Sequence, residues 1–422
     1  MAIDWMNNHL WGDDIPWLIG LREKGQRMFE QLGWPNAKTE AWKYSYFPQQ
    51  ILDNLMVCPD SDSCQCHENC HCHDKIKTPF AAYGIKFCNG RLHSEHVNLP
   101  EGVIVKPLVE AIYEGEVKKY INKSFDLDKF PFAALNTAFL ENGMMLIVER
   151  GVKLSQPIFI HYQQHQKEHT FNNIRNIIVL EKGASATITE HYEGERGSSY
   201  FNNIVNEIYA HDESQLRHYV VNNESETAYH VALNAADLRA NASYEAFVMQ
   251  GECAFCRHES YIRLLQKGAA ATVNGAYQLC NNGISDITTN IFHLASNTDS
   301  QQLVKGVADG RSKGVFQGKI HIAPNIKQSE GHQQHRALLL SDNAEIDAKP
   351  ELEIFAEDVK CSHGNTCGDL DAEQLFYMQS RGISLDDAKR ILIKAHVDEA
   401  VATISDTKVK NWLLNIITKK TP

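Results

Sequence analysis

Long apolar runs are what this 422-residue chain conspicuously lacks. No stretch reaches the roughly 18 consecutive apolar residues that a membrane-spanning helix needs, so no span is expected. An excess of positive charge is lacking too. Lys and Arg number 41 against 53 Asp and Glu, a net charge of −12. No local Lys/Arg cluster reverses that balance, which argues against a nucleic-acid footprint or attraction to an anionic membrane. The opening MAIDWMNNHLWGDD has no basic segment leading into an apolar one, so no secretory signal and a cytoplasmic setting are expected. Phosphate-binding glycine loops, nucleophile elbows and zinc-peptidase helices are also missing, which removes the common signatures of ATP use and hydrolysis.

What the chain does have is an ordinary globular balance, 43% apolar and 22% charged, together with eleven cysteines. In a reducing compartment those cysteines are expected to be thiols or metal ligands rather than a disulfide framework.

Three textures follow one another. Residues 1–50 predict helix: Trp17, Leu21, Met28 and Leu32 fall on one helical face, and Gly33-Trp34-Pro35 ends it. A second short helical segment, Thr39 to Ser45, has Thr39 as a candidate N-cap and Trp42 and Tyr44 as candidates for burial. Residues 58–73, CPDSDSCQCHENCHCH, form a separate tract with almost no apolar side chains besides the thiols. From Val103 to Ile354 short apolar strands alternate with Gly, Asn, Asp and Ser: Gly143–Val148, Pro157–Tyr162, Ile174–Leu180, Ala184–Tyr192, Gln215–Val221, Ser243–Met249 and Ala271–Leu279. Four of them overlay on starts at Ala186, Gln215, Ser243 and Ala271, a near-constant spacing that favours a β-solenoid over a Greek-key sandwich. Residues 369–422 return to helix. Asp371 begins one helix and Arg381-Gly382 ends it; Ser384 with Asp387 suggests a capping box, followed by a face of Ala388, Ile391, Leu392 and Ala395. A last amphipathic stretch runs from Val409 to Ile417. The expected division is 1–100, 101–368 and 369–422: a helical N-terminal region containing the tract, a solenoid core and a C-terminal helical domain.

Four groups of residues carry candidate chemistry. Within Glu351–Ser384, an alternating strand (Leu352, Ile354, Ala356) is expected to enter a polar turn, Asp358–Gly364, that Gly364 and Gly368 interrupt. There Cys361 and His363 offer a soft sulfur and a borderline nitrogen, a pair suited to iron, zinc or copper. If strand geometry persists, both project to one side; otherwise they are a buried thiol and a turn-bonded histidine. The tract offers Cys64, Cys66, Cys70 and Cys72 with His67, His71 and His73. It lacks two separated C-x-x-C knuckles, so it resembles a flexible metallothionein-like segment for zinc or another metal, or an insertion that merely scavenges ions. Cys253 and Cys256 form a C-x-x-C on a strand-rich stretch, where lining a solenoid turn is favoured over redox chemistry. Asp286, Asp299 and Asp309 fall in solenoid loops, where polysaccharide-cleaving β-helix enzymes keep carboxylates.

DVKCSHG followed by EQLFYMQSRGIS resembles the C-terminal region of the SufB/SufD family of the SUF iron–sulfur cluster assembly machinery. EAWKYS, PFAALNTAF and GVKLSQPI resemble other stretches of that family. CSHGNT, where the SufB side tends to carry an acidic EHEA-type box, and the shorter length place the chain on the SufD side. The resemblance implies a right-handed parallel β-helix between helical ends, with no catalysis of its own. It implies a heterodimer with a SufB-like paralogue and docking of a SufC-like ATPase on the C-terminal helices, where Leu375, Phe376, Ile391 and Leu392 are the apolar candidates. His363, with Cys361 beside it, would face the paralogue and a transient iron–sulfur cluster; a flavin in the complex stays an open expectation. The competing expectations are a β-helix polysaccharide lyase or hydrolase and a free-standing metal-storage protein.

Overall fold

A computed structural model of the chain describes residues 10–48, 56–57, 76–93, 99–165, 170–251 and 253–420. The candidate metal ligands Cys64, Cys66, Cys70 and Cys72 of the tract lie outside those residues. Two ten-stranded sheets face each other, and from Asn142–Val148 onward consecutive strands alternate between them. The first sheet runs in space from Glu345–Ile354 through Lys313–Ile322, Ile284–His293, Phe255–Leu264 and so on back to Val103–Pro107; the second from Val359–Gly368 through Ser329–Leu339, Asp299–Ala308 and Ala270–Leu279 back to Arg91–His93. From Thr170–Leu180 onward each strand pairs in parallel with the strand one turn before it, while Tyr83–Cys88 with Arg91–His93 and Val103–Pro107 with Asn142–Val148 are antiparallel. The result is a parallel β-solenoid of about seven turns with helices at both ends.

All seven strands expected from apolar texture form, most of them extended by one to four residues. The overlay is correct at its centre, where Gln215 pairs with Ser243. It slips by one residue on either side: Ala186 pairs with Leu216, and Ala271 with Tyr244. The repeat is therefore not constant, because the corners absorb single residues while inward and outward side chains keep their alternation. One corner shows how. Gly183, Glu213, Asn241, Gly268 and Asn297 all have positive φ, and the backbone N–H of each donates to a carbonyl in the next turn's corner, as from Glu213 to Ala240 and from Gly268 to Asn297. Glycine and asparagine tolerate that left-handed conformation best, which explains their punctuation of the sequence.

The helix α1 (Pro16–Leu32) forms as expected, but a different face is buried: Leu18, Arg22, Gly25 and Phe29. Trp17, Leu21 and Met28 are half-buried and Leu32 is exposed. The reason is backbone proximity. After α2 (Leu108–Tyr113), the helix α3 (Pro131–Ala138) comes so close that a Cβ on Gly25 would sit 2.6 Å from the Ala138 nitrogen. Arg22 adds a hydrogen bond of 2.7 Å to the Leu140 carbonyl. Docking thus depends on a small residue and a cation, which an apolar stripe does not reveal. The Thr39 segment is a single 3₁₀ turn, Glu40–Trp42, and the Thr39 side chain does not cap it; Trp42 is buried and Tyr44 half-buried.

At the C-terminus come α4 (Ala372–Ser380), α5 (Leu385–Val401) and α6 (Thr407–Lys420). Asp371 accepts from two backbone N–H groups of α4, and Ser384 from that of Asp387, as the cap residues predict. The buried face of α5 is Ala388, Ile393, Val397, Ala400 and Val401 rather than one including Ile391 and Ala395. With Val409, Leu413 and Ile417 of α6, it covers Tyr219, Val221, Phe247 and Met249 on the outer surface of the second sheet. Among the described cysteines, five are free thiols, but Cys88 is disulfide-bonded. The expectation of thiols or metal ligands rather than disulfides fails at that one position, since composition does not say which sulfurs meet.

Candidate functional site

Among the described residues, no further turn stacks on the last turn of the solenoid. Val359–Gly368 is a strand, not the expected polar turn: it pairs residue for residue with Ser329–Leu338, and Gly364 lies within it. Its composition is poor for a strand, but the preceding turn supplies a ready ladder, and context outweighs β-propensity. Strand alternation therefore does hold at Cys361 and His363, which project to the same side about 6.6 Å apart along the chain. That side is inward. Cys361 packs against the cluster of Ile320, Ile322 and Ile326. On the same side, Asn365 meets Nδ1 of His335 at 2.8 Å, and the buried His335 ring stacks on Phe316 and Tyr277. Because the stack ends here, inward-facing His363 and Cys367 are exposed. A groove of about 500 Å³ crosses this end, lined by His332, Gln333, Gln334, Ser362, His363 and Thr403 among others.

Burial raises the pKa of the Cys361 thiol, and burial aided by Asp369 raises that of Cys367. Both are protonated near neutrality, so sulfur coordination here requires an arriving cation to displace the proton. The strands that end both sheets, Glu345–Ile354 and Val359–Gly368, have no partner on their outer side among the described residues. They are ten residues long, and Ile354 and Phe355 beside them are 40% and 61% exposed. Two long open edges flanking a thiol and an imidazole form a surface that another chain can extend.

A family model described as the SUF system FeS cluster assembly, SufBD core domain, matches residues 161–396, and the SufBD protein N-terminal region matches 7–160. The chain is 30% identical over 407 residues to the iron-sulfur cluster assembly protein SufD of Escherichia coli, covering 94% of this chain and 93% of that one. The chain belongs to the SufB/SufD family. It is also similar to SufD of Bacillus subtilis, 25% identical with 96% and 94% covered, and to a SufBD family protein of Synechocystis, 24% identical with 96% and 91% covered.

The other expected sites separate. Leu375 and Leu392 are half-buried, while Phe376 and Ile391 are 73% and 48% exposed, and Tyr377 and Leu385 are exposed as well. Cys253 and Cys256 are free and buried in the solenoid wall, where burial raises the Cys256 pKa well above its usual value. The polysaccharide-enzyme arrangement is not assembled: Asp286 is fully buried in an ion pair with Arg257, and Asp309 bonds to the Gly310 nitrogen at a corner. The family's role in iron–sulfur cluster assembly replaces that alternative.

Sequence reasoning missed the polar interior. Asn176, Asn206 and Asn234 stack one per turn, each amide 2.8 Å from the next. Glu190 accepts from Asn206 and from Nε2 of His218, whose Nδ1 accepts from Tyr244. Recurrence of Asn at the strand repeat was the available signal. Burial lowers the pKa of His258 to about 3 and those of His293 and His335 to about 4. Each folded value lies below the unfolded one near 6.5, so the unfolded chain binds more protons in between. Stability is full above about pH 6.5 and falls below it, by up to about 1.4 kcal/mol per pH unit for each histidine. Urea midpoints should therefore drop between pH 7 and pH 5; a flat profile would show that these rings are not held neutral.

Proposed function

We propose that the chain is the SufD-type, non-catalytic scaffold subunit of an iron–sulfur cluster assembly complex. The observation that carries this is the uncapped last turn, where Cys361 and His363 face one side between two open sheet edges. A SufB-type paralogue pairs against those edges, and a nascent cluster, the cargo, forms where the imidazole and thiol meet it. The exposed patch of Phe376, Tyr377, Leu385 and Ile391 docks a SufC-type ATPase, which supplies the energy this chain has no motif to use. Movement of that ATPase opens and closes the interface by biasing two arrangements of the scaffold. Cys64, Cys66, Cys70 and Cys72 capture zinc or a similar ion as an accessory, not as the assembly site.

Co-expression with tagged SufB-type and SufC-type subunits tests this. The complex should form, and Phe376→Asp combined with Ile391→Asp should lose the ATPase, by at least tenfold in recovered subunit, while keeping the paralogue. Removal of residues 369–422 is a poorer test, because it would uncover Tyr219, Val221, Phe247 and Met249. Full ATPase recovery with the double variant would refute the docking assignment.

A further inference from the structure

Away from the open end, three side chains converge on the outer face of the second sheet. His161 pairs in register with His191 on the next strand, and Glu193 lies two residues beyond it, so all three project to the same side. One ring nitrogen from each histidine and one carboxylate oxygen lie within 4.8 Å of one another. His161 Nε2 is 2.8 Å from Glu193 Oε2, and the two imidazoles stack with centroids 5.1 Å apart and planes 15° from parallel. Aromatic rings wall the cluster: Phe159 lies against both histidines, and Trp412 of α6 meets His191 edge-on at 5.3 Å.

We propose that His161, His191 and Glu193 form a binding site for one divalent first-row transition ion of the Fe²⁺, Co²⁺ and Zn²⁺ class. Two imidazoles and one carboxylate are the ligand set those ions take when positions are left open for water or an exchangeable ligand. Bonds of about 2.0–2.2 Å place tetrahedral ligand atoms roughly 3.4 Å apart, so small side-chain rotations suffice from the present spacing. Calcium and magnesium are disfavoured by the single carboxylate, and copper(I) by the lack of sulfur. The contact of 2.8 Å between His161 Nε2 and Glu193 Oε2 already draws the oxygen ligand towards the first imidazole. Gln163 pairs in register with Glu193 and projects to the same side, beside the cluster. The bland alternative is a His–Glu link that ties two strands and binds no metal. The site rests on this geometry alone and stands whether or not the scaffold reading is correct.

The decisive experiment uses the full chain with the cysteines of residues 58–73 and Cys88 changed to serine, and the histidines of 58–73 changed to asparagine. Titration with Co²⁺ should show one bound equivalent with visible ligand-field absorption, accompanied by quenching of Trp412 that Trp412→Phe removes. Glu193→Gln and, separately, His191→Asn in that background should each weaken Co²⁺ binding by at least about 100-fold. The near-isosteric Glu193→Gln serves if His191→Asn does not fold, and thermal midpoints without metal establish which variants are intact. No stoichiometric Co²⁺ binding in the parent protein, or equal binding in a folded Glu193→Gln variant, would overturn the site.

Discussion

His363→Ala should cut the cluster recovered on the purified complex by at least tenfold while leaving the chain folded and its partners bound. The side chain is exposed at the end of the solenoid, so the packing lost is small and stability should change by no more than about 0.5 kcal/mol. Its strand is already held by ten parallel pairings to Ser329–Leu338, none of which involves the imidazole. What the substitution removes is an imidazole nitrogen placed beside Cys361 on an open edge. A histidine that only stabilises the last turn predicts the opposite order: a lower midpoint first, and cluster lost in proportion. Bound iron, bound sulfide and thermal midpoint must therefore come from one preparation. A normal cluster yield in a stable His363→Ala complex would defeat the assignment.

Arg257→Ala should be among the most destabilising single substitutions in the chain, at about 3–5 kcal/mol by urea unfolding. Arg257 is fully buried, bonded to both Asp286 and Glu259, and Trp42 lies over its guanidinium at 4.0 Å. Its Nη1 also meets Ser45 Oγ at 3.1 Å, and Ser45 donates to Asp286. Gln317 donates to the Ala41 carbonyl nearby. The EAWKYS segment is thus fastened to the solenoid by one cation shared between two carboxylates. Removing that cation leaves both carboxylates buried without it, which costs far more than the lost contact alone. Replacing all three charged residues by apolar ones, Arg257→Met with Glu259→Leu and Asp286→Leu, should recover most of the loss. If Arg257→Ala costs under about 1 kcal/mol, the network does not anchor the segment.

The two histidine-bearing sites were legible to different degrees. Cys361 and His363 stood out because their residue types are rare together, and a strand there was the condition for joint action. The strand itself was hidden, since Lys360, Ser362, Gly364 and Thr366 give no apolar alternation. His161, His191 and Glu193 gave no signal at all, because residues thirty positions apart become neighbours only through register. The C-terminal helices were half legible: helical periodicity found α4 and α5 but not which flank the sheet would cover.

By itself, the sequence determined the solenoid, its approximate repeat, the helical ends, the caps at Asp371 and Ser384, and the family. Those follow from local chemistry: apolar strand runs, left-handed corner residues, cap side chains and short distinctive motifs. Only the tertiary structure decided which helix faces are buried, as Gly25 and Arg22 show for α1, and which inward-facing residues are exposed. Exposure of His363 is not a property of its neighbours in sequence. It arises because the stack of turns among the described residues ends there, leaving a side chain built to face a core with no next turn of those residues to cover it.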